Sequence, residues 1–269
     1  MDSTHQAQRP AAVAGLFYPG DTVELRATLT RLLGETRPAS VRPPRALIVP
    51  HAGYVYSGAV AAAAYRRLAR WHDAYRRVVL LGPPHRVPVR GAATVSADRF
   101  GGPLGSVAVD REALSALLAR GEVEVDDAAH ATEHALEVQI PFLQSVLDAF
   151  TLVPLLIGEM SAAATARLLA PWWEDPETLV VVSTDLSHFL DYAAAQRLDA
   201  ITDGMILALD GRGLTPEHAC GCRALAGLLH LARARGAHIE RAAQCNSGDT
   251  AGARDRVVGY AAYVLDGGD

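Results

Sequence analysis

Short apolar runs separated by helix-forming stretches constrain this chain more than any other feature. Ala46-Leu47-Ile48-Val49, Val78-Val79-Leu80-Leu81, Leu152-Val153-Pro154-Leu155-Leu156 and Leu179-Val180-Val181-Val182 lack polar–apolar alternation. Each therefore reads as a strand covered on both faces. Helical patterns lie between them. Asp21-Thr22-Val23-Glu24 has the capping-box form, and Leu25, Leu29, Leu32 and Leu33 follow at helical spacing. Further helices are expected at about 57–69, 111–120, 162–170, 192–209 and 217–235. A longer helical stretch, 128–150, is interrupted by Pro141. Residues 257–265 read as a last strand. Buried strands between helices imply an α/β fold with a central, mostly parallel or mixed β-sheet flanked by helices. No repeat or long linker divides the chain. A single α/β domain over 10–266 is expected, behind a flexible N-terminus over 1–9.

Composition excludes several function classes. The formal net charge of −5 argues against nucleic acid or anionic membrane as the main partner. No apolar run approaches the roughly 18 residues of a membrane span. The polar start has no signal-peptide core, so a cytoplasmic protein is expected. There is no lysine, which rules out Walker P-loop, protein-kinase and Schiff-base chemistry. Cys220, Cys222 and Cys245 are too few and too odd in number for a disulfide framework.

Chemistry-bearing residues collect just after the strands. His51 follows the first run, His85 the second, and Asp185 with His188 the run at 179–182. A polar turn, Asn246-Ser247-Gly248-Asp249, precedes the last strand. Ligands of open α/β sheets bind beyond the carboxyl ends of the strands, so these side chains are expected to share one pocket. Two imidazoles and a carboxylate form the facial set used for non-haem Fe(II). Tyr54 and Tyr56, flanking the His51 turn, are candidates to line a substrate pocket. A rival pattern, His130-Ala131-Thr132-Glu133-His134, satisfies the inverted zincin motif and would place two helical histidines on one face. The favoured reading leaves His130 solvated and His134 in the cleft wall. Of Cys220 and Cys222, one is expected in the core and one, Cys220, at the cleft. Trp172 and Trp173 read as packing at a helix end, and Arg66, Arg67, Arg76 and Arg77 as a solvated cluster.

At these residues the sequence resembles the Memo family, including bacterial members called AmmeMemoRadiSam system protein B. The matching segments are 15–20 (Gly-Leu-Phe-Tyr-Pro-Gly), 50–58 (Pro-His-Ala-Gly-Tyr-Val-Tyr-Ser-Gly) and 81–88 (Leu-Gly-Pro-Pro-His-Arg-Val-Pro). They continue with 133–141 (Glu-His-Ala-Leu-Glu-Val-Gln-Ile-Pro), 182–188 (Val-Ser-Thr-Asp-Leu-Ser-His), Cys220-Gly221, 246–250 (Asn-Ser-Gly-Asp-Thr) and 257–262 (Val-Val-Gly-Tyr-Ala-Ala). The resemblance implies a fold similar to class III extradiol dioxygenases, with a metal site in the corresponding cleft. It implies His51 and His85 as metal ligands. Animal members use a cysteine as the third ligand. Counting back from Gly259-Tyr260-Ala261-Ala262 puts that position at Asp249 rather than Cys245. Asp185 with His188, and His134 with Glu137, match two further acid–imidazole pairs of the cleft, expected to serve catalysis. Radical-SAM and AMMECR-type proteins are implied as partners.

The resulting expectation is a non-haem metal protein, with Fe(II) first and Cu or Zn as alternatives, doing redox or dioxygenase-type chemistry on a small molecule or peptide. Alternatives from other classes are a signalling module that captures a peptide or protein, and a zinc hydrolase acting through metal-activated water.

Overall fold

The apolar runs form the centre of a sheet because burial on both faces leaves them nowhere else to go. The computed structural model describes residues 7–34 and 42–267. In chain order the strands are β1 (Gln8–Arg9), β2 (Pro44–Val49), β3 (Arg77–Gly82), β4 (Ala92–Thr94), β5 (Arg99–Phe100), β6 (Val107–Ala108), β7 (Glu124–Val125), β8 (Thr151–Ile157), β9 (Thr178–Ser183), β10 (His188–Leu190), β11 (His238–Asn246) and β12 (Val257–Asp266). The helices are α1 (Thr22–Leu33), α2 (Tyr54–Tyr65), α3 (Arg111–Ala119), α4 (Asp127–Ala131), α5 (Ile140–Val146), α6 (Ala162–Glu174), α7 (Tyr192–Leu207) and α8 (Cys222–Ala234).

Among the described residues the main sheet runs β10-β12-β2-β9-β3-β8-β4-β7, with β11 paired to β12. Its middle, β2-β9-β3-β8, is parallel, whereas β12 and β4 join antiparallel. The sheet is therefore mixed, and these four middle strands are buried along nearly their whole length. Helices cover it. Asp21 caps α1 by accepting from the Val23 and Glu24 amides, and α1 buries Leu25, Leu29 and Leu33. The alanine-rich α2 packs on β11 and β12, its small side chains permitting close approach. Trp172 and Trp173 lie buried in the last turn of α6.

Two local expectations are corrected, and one strand is added. Residues 8 and 9, expected in the terminus ahead of the domain, are part of the fold: β1 pairs in parallel with β5, and the Arg9 side chain is buried. The remainder of the expected flexible terminus, 1–6, lies outside the described residues. The polar strand β11 was not foreseen, because its sequence shows no apolar run. Most consequential is the stretch 128–150, which is not a helix interrupted at Pro141. Helix α4 ends at Ala131, residues 132–136 leave the helical path, a 3-10 turn follows at Glu137–Gln139, and α5 starts at Ile140. Two contacts replace the missing helical bonds. The Arg9 guanidinium donates to the carbonyls of His130 and Glu133, at 3.0 and 2.6 Å. The Glu133 carboxylate accepts from the His134 and Ala135 amides, each at 2.9 Å. Helix continuation thus loses to side chains that satisfy the same backbone groups.

Candidate metal centre

Strands β2, β9 and β3 are adjacent and parallel, so their carboxyl ends open on one edge of the sheet. At or just beyond these ends lie His51, then Ser183 and Asp185, then His85. The irregular segment 132–136 crosses this edge and brings His134. It can do so because Gly82 ends β3: a Cβ there would stand 2.9 Å from Leu136 Cδ2 and 3.1 Å from Ala135 Cβ. The ring nitrogens of His51, His85 and His134 then lie within 4.8 Å of one another. Their ring centroids are 4.7 to 5.4 Å apart. His51 is buried, His134 half-buried and His85 exposed, so the cluster opens to solvent on the His85 side. Phe17 covers the His134 ring at 4.7 Å.

Surrounding groups orient these rings. Glu133, almost fully buried, accepts from His85 Nδ1 at 2.8 Å and from the His85 amide at 2.6 Å. Burial works against its charge, yet the hydrogen bonds and charge of His85 and the nearby amides prevail, holding the carboxyl at about 2. His51 Nδ1 lies 2.9 Å from Ser183 Oγ, and the Asp185 carboxylate accepts from the His51 amide at 2.7 Å. Burial raises the Asp185 carboxyl above its ordinary value. Burial, reinforced by His85, pushes His51 down to about 3. The same cause, reinforced by His51, brings His134 to about 4. Both imidazoles are therefore neutral at pH 7 and keep a lone pair for a ligand. His134 Nδ1 is buried and lacks a hydrogen bond, although it passes 3.3 Å from Glu133 Oε1. An orphaned imidazole nitrogen in a set of three histidines, two of them held neutral, fits a metal ion.

The remaining expected residues are distributed unevenly. Cys220 is drawn in: its Sγ lies 3.3 Å from His51 Nε2 and accepts from the Asp185 amide at 3.3 Å. Burial raises its thiol well above the ordinary range. His188, on β10, lies half-buried within electrostatic reach of His51 and Asp185. Tyr56 stands 37% exposed on the first turn of α2. Tyr54 is instead buried, its hydroxyl donating to the Val138 carbonyl at 2.8 Å while its ring packs on Phe142.

Asp249 is not brought into the histidine cluster. It caps its own 3-10 turn, Ser247–Asp249, accepting from the Asn246 amide at 3.0 Å and the Tyr192 hydroxyl at 2.5 Å. A polar turn followed by a short helical segment consumes its own carboxylate. Glu137 is also committed elsewhere. Both its oxygens are occupied by Arg9, the Ala12 and Val13 amides and the Tyr18 hydroxyl, in a nearly dry setting. The His-x-x-Glu-His pattern separates likewise. His130 is buried rather than solvated, its Nε2 3.1 Å from the Ala93 carbonyl, and only Glu133 and His134 reach the site. Glu133 stood out only through the rival His-x-x-Glu-His pattern, while Ser183 and Gln139 lie within the segments 182–188 and 133–141 with nothing in local spacing to distinguish them.

Comparison with known proteins agrees with the resemblance in sequence. A family model described as Memo-like protein matches residues 9–264. A MEMO1 family protein of Ignicoccus hospitalis is 37% identical over 279 residues, covering 94% of this chain and 97% of its own. One from Methanopyrus kandleri is 36% identical, covering 96% and 99%. Another, from Aquifex aeolicus, is 32% identical over 96% and 98%. Among solved structures, an uncharacterised protein of Escherichia coli K12 shares the fold at a TM-score of 0.50 and 16% identity, covering 83% of this chain and 99% of that one.

Proposed function

This chain belongs to the Memo family, and from that premise we propose that His51, His85 and His134 hold one transition-metal ion for redox chemistry on a small substrate. Fe(II) is the first choice, with Cu and Zn as alternatives. The observation behind the reading is the meeting of three ring nitrogens within 4.8 Å at the carboxyl ends of parallel strands. When bound, the ion supplies Lewis acidity and, for iron or copper, electron transfer.

The chain does the rest. His51 and His134 offer lone pairs without first shedding a proton, since burial keeps them neutral. Glu133 takes the His85 Nδ1 proton in a hydrogen bond and so turns the opposite nitrogen outward. The exposed His85 side is where a substrate enters. His188, half-buried near Asp185, is placed to move a proton between substrate and solvent. The Cys220 sulfur beside His51 Nε2 biases the site towards thiophilic ions and away from Mg or Ca.

A second reading, hydrolysis by metal-activated water, is favoured by the same donor set, because three imidazoles without a carboxylate also characterise catalytic zinc. Anaerobic purification followed by metal analysis and oxygen-uptake assays separates the two. The redox reading expects bound iron or copper and substrate-dependent oxygen uptake that is lost in His188→Ala with metal content unchanged. Bound zinc with oxygen-independent turnover would favour hydrolysis. Absence of both metal and turnover would leave the signalling-module reading.

A further inference from the structure

The hydrogen bonds behind His51 can be traced proton by proton, beginning from atoms with a fixed role. The Pro50 carbonyl oxygen can only accept, so the Gln139 atom 2.9 Å from it is the amide nitrogen. The Gln139 oxygen, correctly on the other side, accepts from the Tyr65 hydroxyl at 3.0 Å. The same Gln139 nitrogen donates its second proton to Ser183 Oγ at 2.8 Å. Ser183 has one proton of its own, and the Ala135 carbonyl, 2.6 Å away, takes it. Only a lone pair of Ser183 Oγ is then left for His51 Nδ1 at 2.9 Å. Gln139, Ser183 and His51 are all buried, so water does not scramble the chain.

We infer that Ser183, locked by Gln139, is a positioning residue that holds His51 in the Nδ1–H tautomer and so presents a bare Nε2 to the metal centre. The inference rests on the metal-centre reading above only for its consequence; the tautomer follows from the hydrogen bonds alone. Nε2 is the nitrogen beside Cys220 Sγ, whose protonated thiol satisfies it in the metal-free protein. Without the Ser183 hydroxyl, Nδ1 faces a buried site with no acceptor. The proton then gains by moving to Nε2, which blocks the lone pair a ligand needs. Ser183→Ala is expected to lower metal affinity about 10- to 100-fold.

The test is 15N NMR of the metal-free full-length protein with labelled histidine at pH 7, the His51 signals being assigned by their loss in His51→Ala. Wild type is expected to show a protonated Nδ1 and an unprotonated Nε2. Ser183→Ala is expected to shift towards the Nε2–H form, and to titrate Co(II) more weakly at an unchanged circular dichroism spectrum. The wild-type spectrum is decisive without any variant: a protonated Nε2 there would overturn the inference. So would a Ser183→Ala protein with unchanged tautomer and Co(II) affinity. Wild type that shows the expected tautomer but takes up no ion would refute the metal reading while supporting the role of Ser183.

Discussion

Folding buries the imidazoles of His51 and His130 and partly buries that of His134, holding them at about 3, 4 and 4, against an ordinary value near 6.5. Below pH 6.5 the unfolded chain binds protons that the folded one refuses, so these groups subtract stability as pH falls towards their folded values. Each contributes a slope of up to about 1.4 kcal/mol per pH unit. The raised carboxyls of Asp185 and Asp199 act in the opposite sense, so a single-residue comparison is cleaner than the whole curve. His130→Gln keeps a donor for the Ala93 carbonyl but removes the titration. Urea denaturation of the two proteins between pH 7 and 4.5 should show the variant losing less stability; parallel curves would contradict the burial argument. At this scale His51 and His85 were legible because each directly follows an apolar strand. Asp249 was misread because its turn looks open and polar in sequence, whereas the fold spends the carboxylate on capping. Glu137 was misread because its partner Arg9 is 128 residues away.

The interrupted segment 132–136 carries the third imidazole, and two contacts across the fold define it. Arg9 is buried against Glu137 and donates to the His130 and Glu133 carbonyls. Arg9→Ala should cost about 3–5 kcal/mol, as for a buried ion pair stripped of one partner. Chemical denaturation measures that loss, and an effect within about 0.5 kcal/mol, typical of a surface change, would contradict the role. Gly82→Ala acts from the other side. Its new methyl meets Leu136 and Ala135, so the segment must shift outward and carry His134 with it. Metal affinity should fall at least about tenfold, in keeping with loss of a supporting contact, while the sheet's circular dichroism is retained; unaltered affinity would show that the segment tolerates the shift. None of this was legible locally. Apolar residues at Ala135, Leu136, Val138, Ile140 and Leu143 maintain helical spacing through the stretch, and the break is imposed by Arg9 from a distant part of the chain. The parallel strands, by contrast, announced themselves through unbroken apolar runs.

Over the whole molecule, the sheet order explains why distant segments converge. β2, β9 and β3 are neighbours in space though separated in sequence, and their common polarity puts three loop starts side by side. The α/β class and flanking helices were readable from alternating patterns. The antiparallel edge was not, since β11 is polar and half-exposed and gains its pairing from β12. The Memo-family match spans 9–264, nearly the entire described chain, so the centre belongs to the fold itself and not to an appended loop. The most direct measurement is metal analysis of anaerobically purified protein beside four variants. We expect about one transition-metal ion per wild-type chain, near-complete loss in His51→Ala, His85→Ala and His134→Ala with the fold intact, and retention in Asp249→Ala. Equal metal content in wild type and His134→Ala, or loss confined to Asp249→Ala, would contradict a three-histidine centre.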